Sequence, residues 1–118
     1  QDLLAMHEYS LVVALVERVE EEAAARGALA VHRVRVRLGE LSGVEPDLLD
    51  SAFSIVRAGT ICGGAALEIE RVAARWECSG CRLPLDAGER LQCAACGAPA
   101  ELAAGDEILL GQIELEVP

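Results

Sequence analysis

The sequence is poor in aromatic residues, in basic charge and in histidine, and each shortage excludes something. Aromatics are 3% of the 118 residues, so any core is built from Val, Leu, Ile and Ala. At this length the chain holds one modest core plus a small unit stabilised by other means. No apolar run approaches the ~20 residues that span a bilayer. The opening stretch, Gln1-Asp2-Leu3-Leu4-Ala5, has neither the basic region nor the long apolar segment of a signal peptide, so no membrane attachment is expected. Ten basic residues against twenty acidic ones leave a formal charge of −10. Such a chain repels phosphate backbones, and no nucleic-acid partner is expected; a cationic protein or a metal cation suits it better. With only His7 and His32 the acid–base inventory is thin, and His32, at the start of a strand, reads as a surface residue. Nothing resembles a nucleophile elbow or a paired-carboxylate site. The stretch Gly39–Gly43 lacks the length and the lysine of a phosphate loop and reads as a strand-to-helix turn. An enzyme is not expected, and neither internal repeats nor low-complexity segments are visible.

What is present is cysteine in pairs. Cys78-x2-Cys81 and Cys93-x2-Cys96 are separated by the eleven residues Arg82 to Gln92. Each pair forms a knuckle that aims two thiolates at one ion, and two facing knuckles complete a tetrahedral sulfur site. The turn-prone residues between them (Leu83-Pro84, Asp86-Ala87-Gly88) suit a ribbon hairpin. Zinc is the expected ion; iron of the rubredoxin kind fits the same ligands, and a disulfide framework is the competing use of the four thiols. A closed tetrathiolate site is structural or regulatory, and thiols kept for metal suit the cytoplasm. Cys62 stands outside both knuckles and reads as a buried thiol.

The rest of the chain alternates between two periods. Residues 7–26 read as a helix, with Ser10 as a cap, an apolar stripe at Val12, Val13, Val16, Val19 and Ala23, and Gly27 as the stop. Val34, Val36 and Leu38 then alternate with Arg33, Arg35 and Arg37, the period of a half-buried strand. Pro46 opens a second helix of about 47–58 that offers Leu48, Leu49, Ala52, Phe53 and Val56 to the core. Strands follow over about 66–75, where Leu67 and Ile69 alternate with Glu68 and Glu70, and over Ile108–Val117, where Ile113, Leu115 and Val117 alternate with Gln112, Glu114 and Glu116. One basic strand and two acidic ones predict a single sheet with Arg–Glu pairs on its solvated face; an anion-binding stripe is the competing reading of the arginines. The predicted fold is α+β: two helices on one face of a three-stranded sheet, with an inserted four-cysteine zinc ribbon. The domains are then 6–75 completed by 102–118, the ribbon insertion 76–101, and 1–5 as an N-terminal extension or a cloning remnant.

On composition alone, Met6-His7-Glu8 at a helix start reads as dipole electrostatics and surface polarity, although an imidazole beside a carboxylate suits a borderline cation such as nickel. The order of motifs says more. Met6-His7-Glu8-Tyr9-Ser10 opening a helix, Gly39-Glu40-Leu41-Ser42-Gly43-Val44-Glu45-Pro46 after the first strand, and two Cys-x2-Cys knuckles before a final strand resemble the HypA/HybF nickel-insertion family, from Met6 to about Val117. The resemblance implies a metallochaperone that accepts Ni(II) and helps deliver it to the large subunit of [NiFe]-hydrogenase, and in some organisms to urease, together with a HypB-type GTPase. It makes His7 the principal nickel ligand, and gives Glu8 a part through its backbone nitrogen and its carboxylate. Glu45 becomes an acidic group near the nickel, and Cys78, Cys81, Cys93 and Cys96 become zinc ligands. In that family the Met is the chain terminus and its amine serves nickel; here five residues precede Met6, and a looser nickel site is expected. A zinc-ribbon adaptor without a nickel site is the alternative, and a monomer or weak homodimer the expected state.

Overall fold

The computed structural model of the chain describes residues 3–85 and 92–118. The turn expected at Asp86-Ala87-Gly88, and residues 1 and 2 of the expected extension, lie outside the described residues. Apolar spacing shapes the first element. Helix α1 (Leu3–Ala25) buries Val12, Val16, Val19 and Ala23, the row that an amphipathic helix turns inward. It starts before residue 7 because Leu3, Leu4, Ala5 and Met6 are strong helix formers. Ser10 therefore lies inside the helix, in an exposed position, and does not open it. The end is at Gly27 as expected. With φ at 63°, Gly27 lets the Ala28 N–H reach the Ala23 carbonyl (2.9 Å) while its own N–H meets Ala24 (3.2 Å), the bond pair of a Schellman cap. Helix α2 (Pro46–Val56) starts on its proline and buries Leu49, Ala52 and Phe53.

Six strands are described in chain order: β1 (Ala30–Gly39), β2 (Ala66–Val72), β3 (Arg75–Cys78), β4 (Pro84–Leu85), β5 (Ala100–Ala104) and β6 (Ile108–Glu116). The first sheet has the order β2-β1-β6, so the basic strand lies between the two acidic ones. Arg33 and Arg35 meet Glu68 at 3.1 and 3.0 Å, and Arg37 meets Glu70 at 3.7 Å. On the other side His32 meets Glu116 at 2.8 Å, Arg33 reaches Glu114 at 3.9 Å, and Arg35 donates to Gln112 at 3.2 Å. Partner numbers rise together along β1 and β2, which are parallel, and fall along β6, which is antiparallel to β1. The parallel pair requires a crossover, and α2 supplies it. The arginines are thus ion-paired in a solvated row, each pair contributing under about 1 kcal/mol. Val34 and Val36 are buried on the opposite face, where the two helices pack.

Two compact units make up the chain: Gln1–Arg37, Val44–Glu70 and Leu109–Pro118 form one, and Leu38–Gly43 with Arg71–Ile108 form the other. The second contains a sheet of order β4-β3-β5, with Trp76 opposite Leu85 on one side and Leu102 on the other. The strand expected over 66–75 is interrupted: β2 stops at Val72 and Arg75 starts β3. At that break the backbone of Gly105, at φ 107°, packs against Ala73 and Ala74 so closely that a Cβ there would lie 2.5 Å from the Ala74 Cα. Residues 39–41 are clasped from both sides. Gly39 N–H donates to Glu107 O (2.8 Å), Glu40 N–H to Val72 O (2.8 Å) and Leu41 N–H to Gly105 O (2.7 Å), while the Glu40 carboxylate accepts the Ala74 N–H (2.8 Å). A side chain on Gly39 would collide with the Gly105 carbonyl. No helix among the described residues is long and apolar enough to cross a membrane.

Candidate metal centres

The cysteine pairs sit on tight turns set by their own backbone. Cys78 ends β3; its N–H donates to Leu83 O (2.9 Å) and its carbonyl accepts the Arg82 N–H (3.0 Å). The second knuckle repeats this, with Cys93 N–H on Ala98 O (2.8 Å) and Gly97 N–H on Cys93 O (2.9 Å). The residue after each second cysteine is left-handed: Gly97 at φ 76° and Arg82 at φ 64°. Glycine adopts this freely, whereas arginine is strained. The Arg82 guanidinium meets Glu77 and Glu101, each at 2.9 Å, and these pairs hold it there.

The turns bring all four sulfurs within 4.8 Å of one another. Cys78 and Cys96 sulfurs are 3.2 Å apart, and Cys81 and Cys93 sulfurs 3.8 Å. The cysteines are free thiols, at separations near the ~3.8 Å edge of a tetrahedron with ~2.3 Å metal–sulfur bonds and far from the ~2.05 Å of a disulfide. The Gly80 and Cys81 N–H groups both point at the Cys78 sulfur (3.3 Å). The Cys81 N–H, with the Cys96 thiol and the Gly80 N–H, draws the Cys78 thiol down to about 6. At Cys81 the Leu83 backbone works downward, yet Cys78, Cys93 and Cys96 outweigh it and push that thiol up to about 11. Cys78 forms a thiolate readily and Cys81 resists forming one, a conflict that a bound cation removes. Among the described residues, no other His, Cys, Asp or Glu side chains converge in a group of three or more.

His7, Glu8 and Glu45 are therefore not brought together as a ready-made ligand set. His7 is exposed in the second turn of α1, and Glu45 is exposed too. Glu8, beside His7, is 0% exposed. One of its carboxylate oxygens, Oε2, accepts the Glu45 N–H at 2.8 Å; the other, Oε1, has no hydrogen-bond partner among the described residues. Glu45 is the N-cap of α2 and makes no side-chain cap bond of its own. The Glu8 carboxylate supplies the acceptor at that helix end, where the dipole favours negative charge. This anchoring role is absent from the pattern of the sequence. Its one trace is Glu45-Pro46, a helix start whose cap residue is a poor capper and must borrow an acceptor from elsewhere. The α1 helix also commits backbone nitrogen: the His7 and Glu8 amides take the i−4 carbonyls of Leu3 and Leu4.

Residues 6–115 match the HypA family model, described as hydrogenase/urease nickel incorporation, metallochaperone. The chain belongs to the HypA family. The hydrogenase maturation factor HypA of Wolinella succinogenes is 42% identical over 117 residues, covering 94% of this chain and 96% of that protein. HypA of Nitrosospira multiformis is 40% identical over 112 residues, covering 93% and 97%. The solution structure of the Ni metallochaperone HypA from Helicobacter pylori superposes with a TM-score of 0.75 at 30% identity, over 94% of this chain and 98% of that one. A further HypA solution structure gives a TM-score of 0.81 at 30% identity, over 96% and 98%. HypA membership bears out the resemblance read from the three motifs, and the HypA structures share the predicted α+β fold.

Proposed function

We propose that the chain is a nickel metallochaperone: it binds Ni(II) at the start of α1 and helps pass it to the large subunit of a [NiFe]-hydrogenase, and to urease where one is made. The observation that carries this reading is the family match, which begins at Met6 and so includes His7 and Glu8. The exposed His7 imidazole is the principal ligand, the Glu8 backbone nitrogen the second, and Glu45 an outer carboxylate beside them. The buried Glu8 side chain holds the helix end that presents His7, which is a positioning role. Nitrogen and oxygen donors suit Ni(II) and release it more readily than four thiolates would. Binding through the Glu8 nitrogen requires the first turn of α1 to open, because that nitrogen is bonded to Leu4.

Zinc is the ion that fits the four thiolates of Cys78, Cys81, Cys93 and Cys96, where it neutralises charge and ties the knuckles together. In this reading residues 6–75 with 102–118 carry nickel, 76–101 form the zinc ribbon, and 1–5 are an N-terminal extension or a cloning remnant. The protein acts in the cytoplasm as a carrier without turnover, monomeric or weakly dimeric, with a HypB-type GTPase as partner.

The test is calorimetric titration of Ni(II) into the zinc-loaded protein, its His7→Ala variant, and a chain beginning at Met6. Shortening frees an amine on Met6 and removes the Leu3 and Leu4 carbonyls that occupy the His7 and Glu8 amides. The expected order is tightest binding in the short chain, weaker binding in the full chain, and no specific site in His7→Ala. Unchanged affinity in His7→Ala overturns the nickel reading and leaves a zinc-ribbon adaptor, an outcome to which the separation of the His7, Glu8 and Glu45 side chains would then belong.

A further inference from the structure

We propose that the outer edge of β6, with the groove between it and α1, receives a strand from another protein in which apolar residues alternate with arginine or lysine. Among the described residues β6 ends its sheet, with β1 on one side only, so half of its backbone groups face away from the sheet. Beside that edge lies a groove of about 540 Å³ between Arg18, Glu22 and Arg26 of α1 and Leu110, Ile113 and Leu115 of β6. A guest strand laid along β6 would send alternate side chains into this groove and over the opposite, acidic face.

Charge decides which guest fits. The β1 arginines give their charge mainly to β2: Arg33 is 3.1 Å from Glu68 but 3.9 Å from Glu114, Arg35 and Arg37 pair with Glu68 and Glu70, and the contact Arg35 makes to β6 is with the neutral Gln112 (3.2 Å). Glu114 is left 59% exposed, with its nearest cation among the described residues at the outer limit of an ion pair. Glu68 holds two arginines at 3.1 and 3.0 Å and Glu116 holds His32 at 2.8 Å, so Glu114, on the edge strand, is the most weakly paired carboxylate of this row. The neighbour β6 already has shows the pattern that fits beside it, since β1 puts valines inward and arginines outward. On the groove rim, Arg18 and Arg26 are engaged by Glu22 at 3.5 and 4.0 Å, which leaves the apolar floor to recognise the guest. A second copy of this chain is the wrong occupant, because two β6 edges would set Glu114 and Glu116 against like charges.

The experiment titrates a fluorescein-labelled octapeptide of alternating valine and arginine into the zinc-loaded full chain and reads anisotropy. Saturable one-to-one binding is expected. Glu114→Arg should weaken it by about tenfold or more and Glu114→Gln by a smaller factor in the same direction. Glu20→Arg changes net charge equally on an exposed α1 position outside the groove row and should leave affinity within about twofold. A peptide N-methylated along one edge should bind weakly, because it cannot extend the sheet. Equal weakening by Glu114→Arg and Glu20→Arg overturns the proposal, since the attraction would then be general charge. Undiminished binding of the N-methylated peptide overturns it too, as does sedimentation showing self-pairing that excludes the peptide.

Discussion

A carboxylate with no exposure and one hydrogen bond is an unusual neighbour for an exposed imidazole, and Glu8 is held by geometry more than by charge neutralisation. Removing it orphans the Glu45 N–H at the start of α2 and leaves a gap between the two helices. Glu8→Ala is expected to lower stability by about 1–3 kcal/mol in urea unfolding of the zinc-loaded chain, and Glu8→Gln by less, because an amide oxygen still accepts that N–H. His7, one residue away, is exposed, so His7→Ala should change stability little, within about 0.5 kcal/mol. The pair then separates a presenting residue from an anchoring one. At Arg82 the strain and the ion pairs oppose each other. Arg82→Gly and Arg82→Ala both lose the contacts to Glu77 and Glu101, but only alanine keeps a Cβ at φ 64°. Alanine should therefore be less stable than glycine by about 1 kcal/mol in thermal melts of the loaded protein.

Elements differ in how far the sequence announces them. The α1 stripe, the Pro46 start and the Schellman stop at Gly27 are local signals, and each appears where periodicity and backbone chemistry put it. The cysteine cluster is legible for the same reason, because two-residue spacing fixes a knuckle without help from the rest of the chain. The alternation of Arg on one strand with Glu on two others is a nonlocal signal that survives because charge and pleat agree. The break between β2 and β3 is not legible: Ala73 and Ala74 carry no breaker, and it is the distant Gly105 that packs on them. The use of Glu8 as a cap is hidden in the same way, since its partner lies 37 residues away. Gly39 is the residue most exposed to this kind of constraint. Gly39→Ala should cost about 1–3 kcal/mol or block folding, because the Gly105 carbonyl occupies the space of a Cβ; the same change at Gly64, which has open space around it, should be mild.

At the scale of the whole molecule, metal and pH act on the same four sulfurs. At pH 7 Cys81, pushed up to about 11, still holds its proton, whereas Cys78, drawn down to about 6, has mostly lost its own. Zinc loading must release the Cys81 proton. As pH falls below about 6 Cys78 regains one as well, and zinc affinity should drop more steeply there; competition with a coloured chelator across pH 5–8 measures the slope. Stripping the ion at pH 7 should speed amide exchange in Trp76–Cys78 and Ala100–Leu102 by about a hundredfold while leaving Val16 and Val34 protected. The −10 charge opposes close approach of like copies and favours cationic partners. The position of β1 carries a consequence for how the protein is made. This strand leaves the ribosome before either of its neighbours, and the bonds that flank it join residues 33 apart on one side, from Arg35 to Glu68, and 84 apart on the other, from His32 to Glu116. Its sheet stays unfinished until β6 has been translated, so the nascent form is expected to show a basic, valine-rich strand to whatever waits outside the exit tunnel.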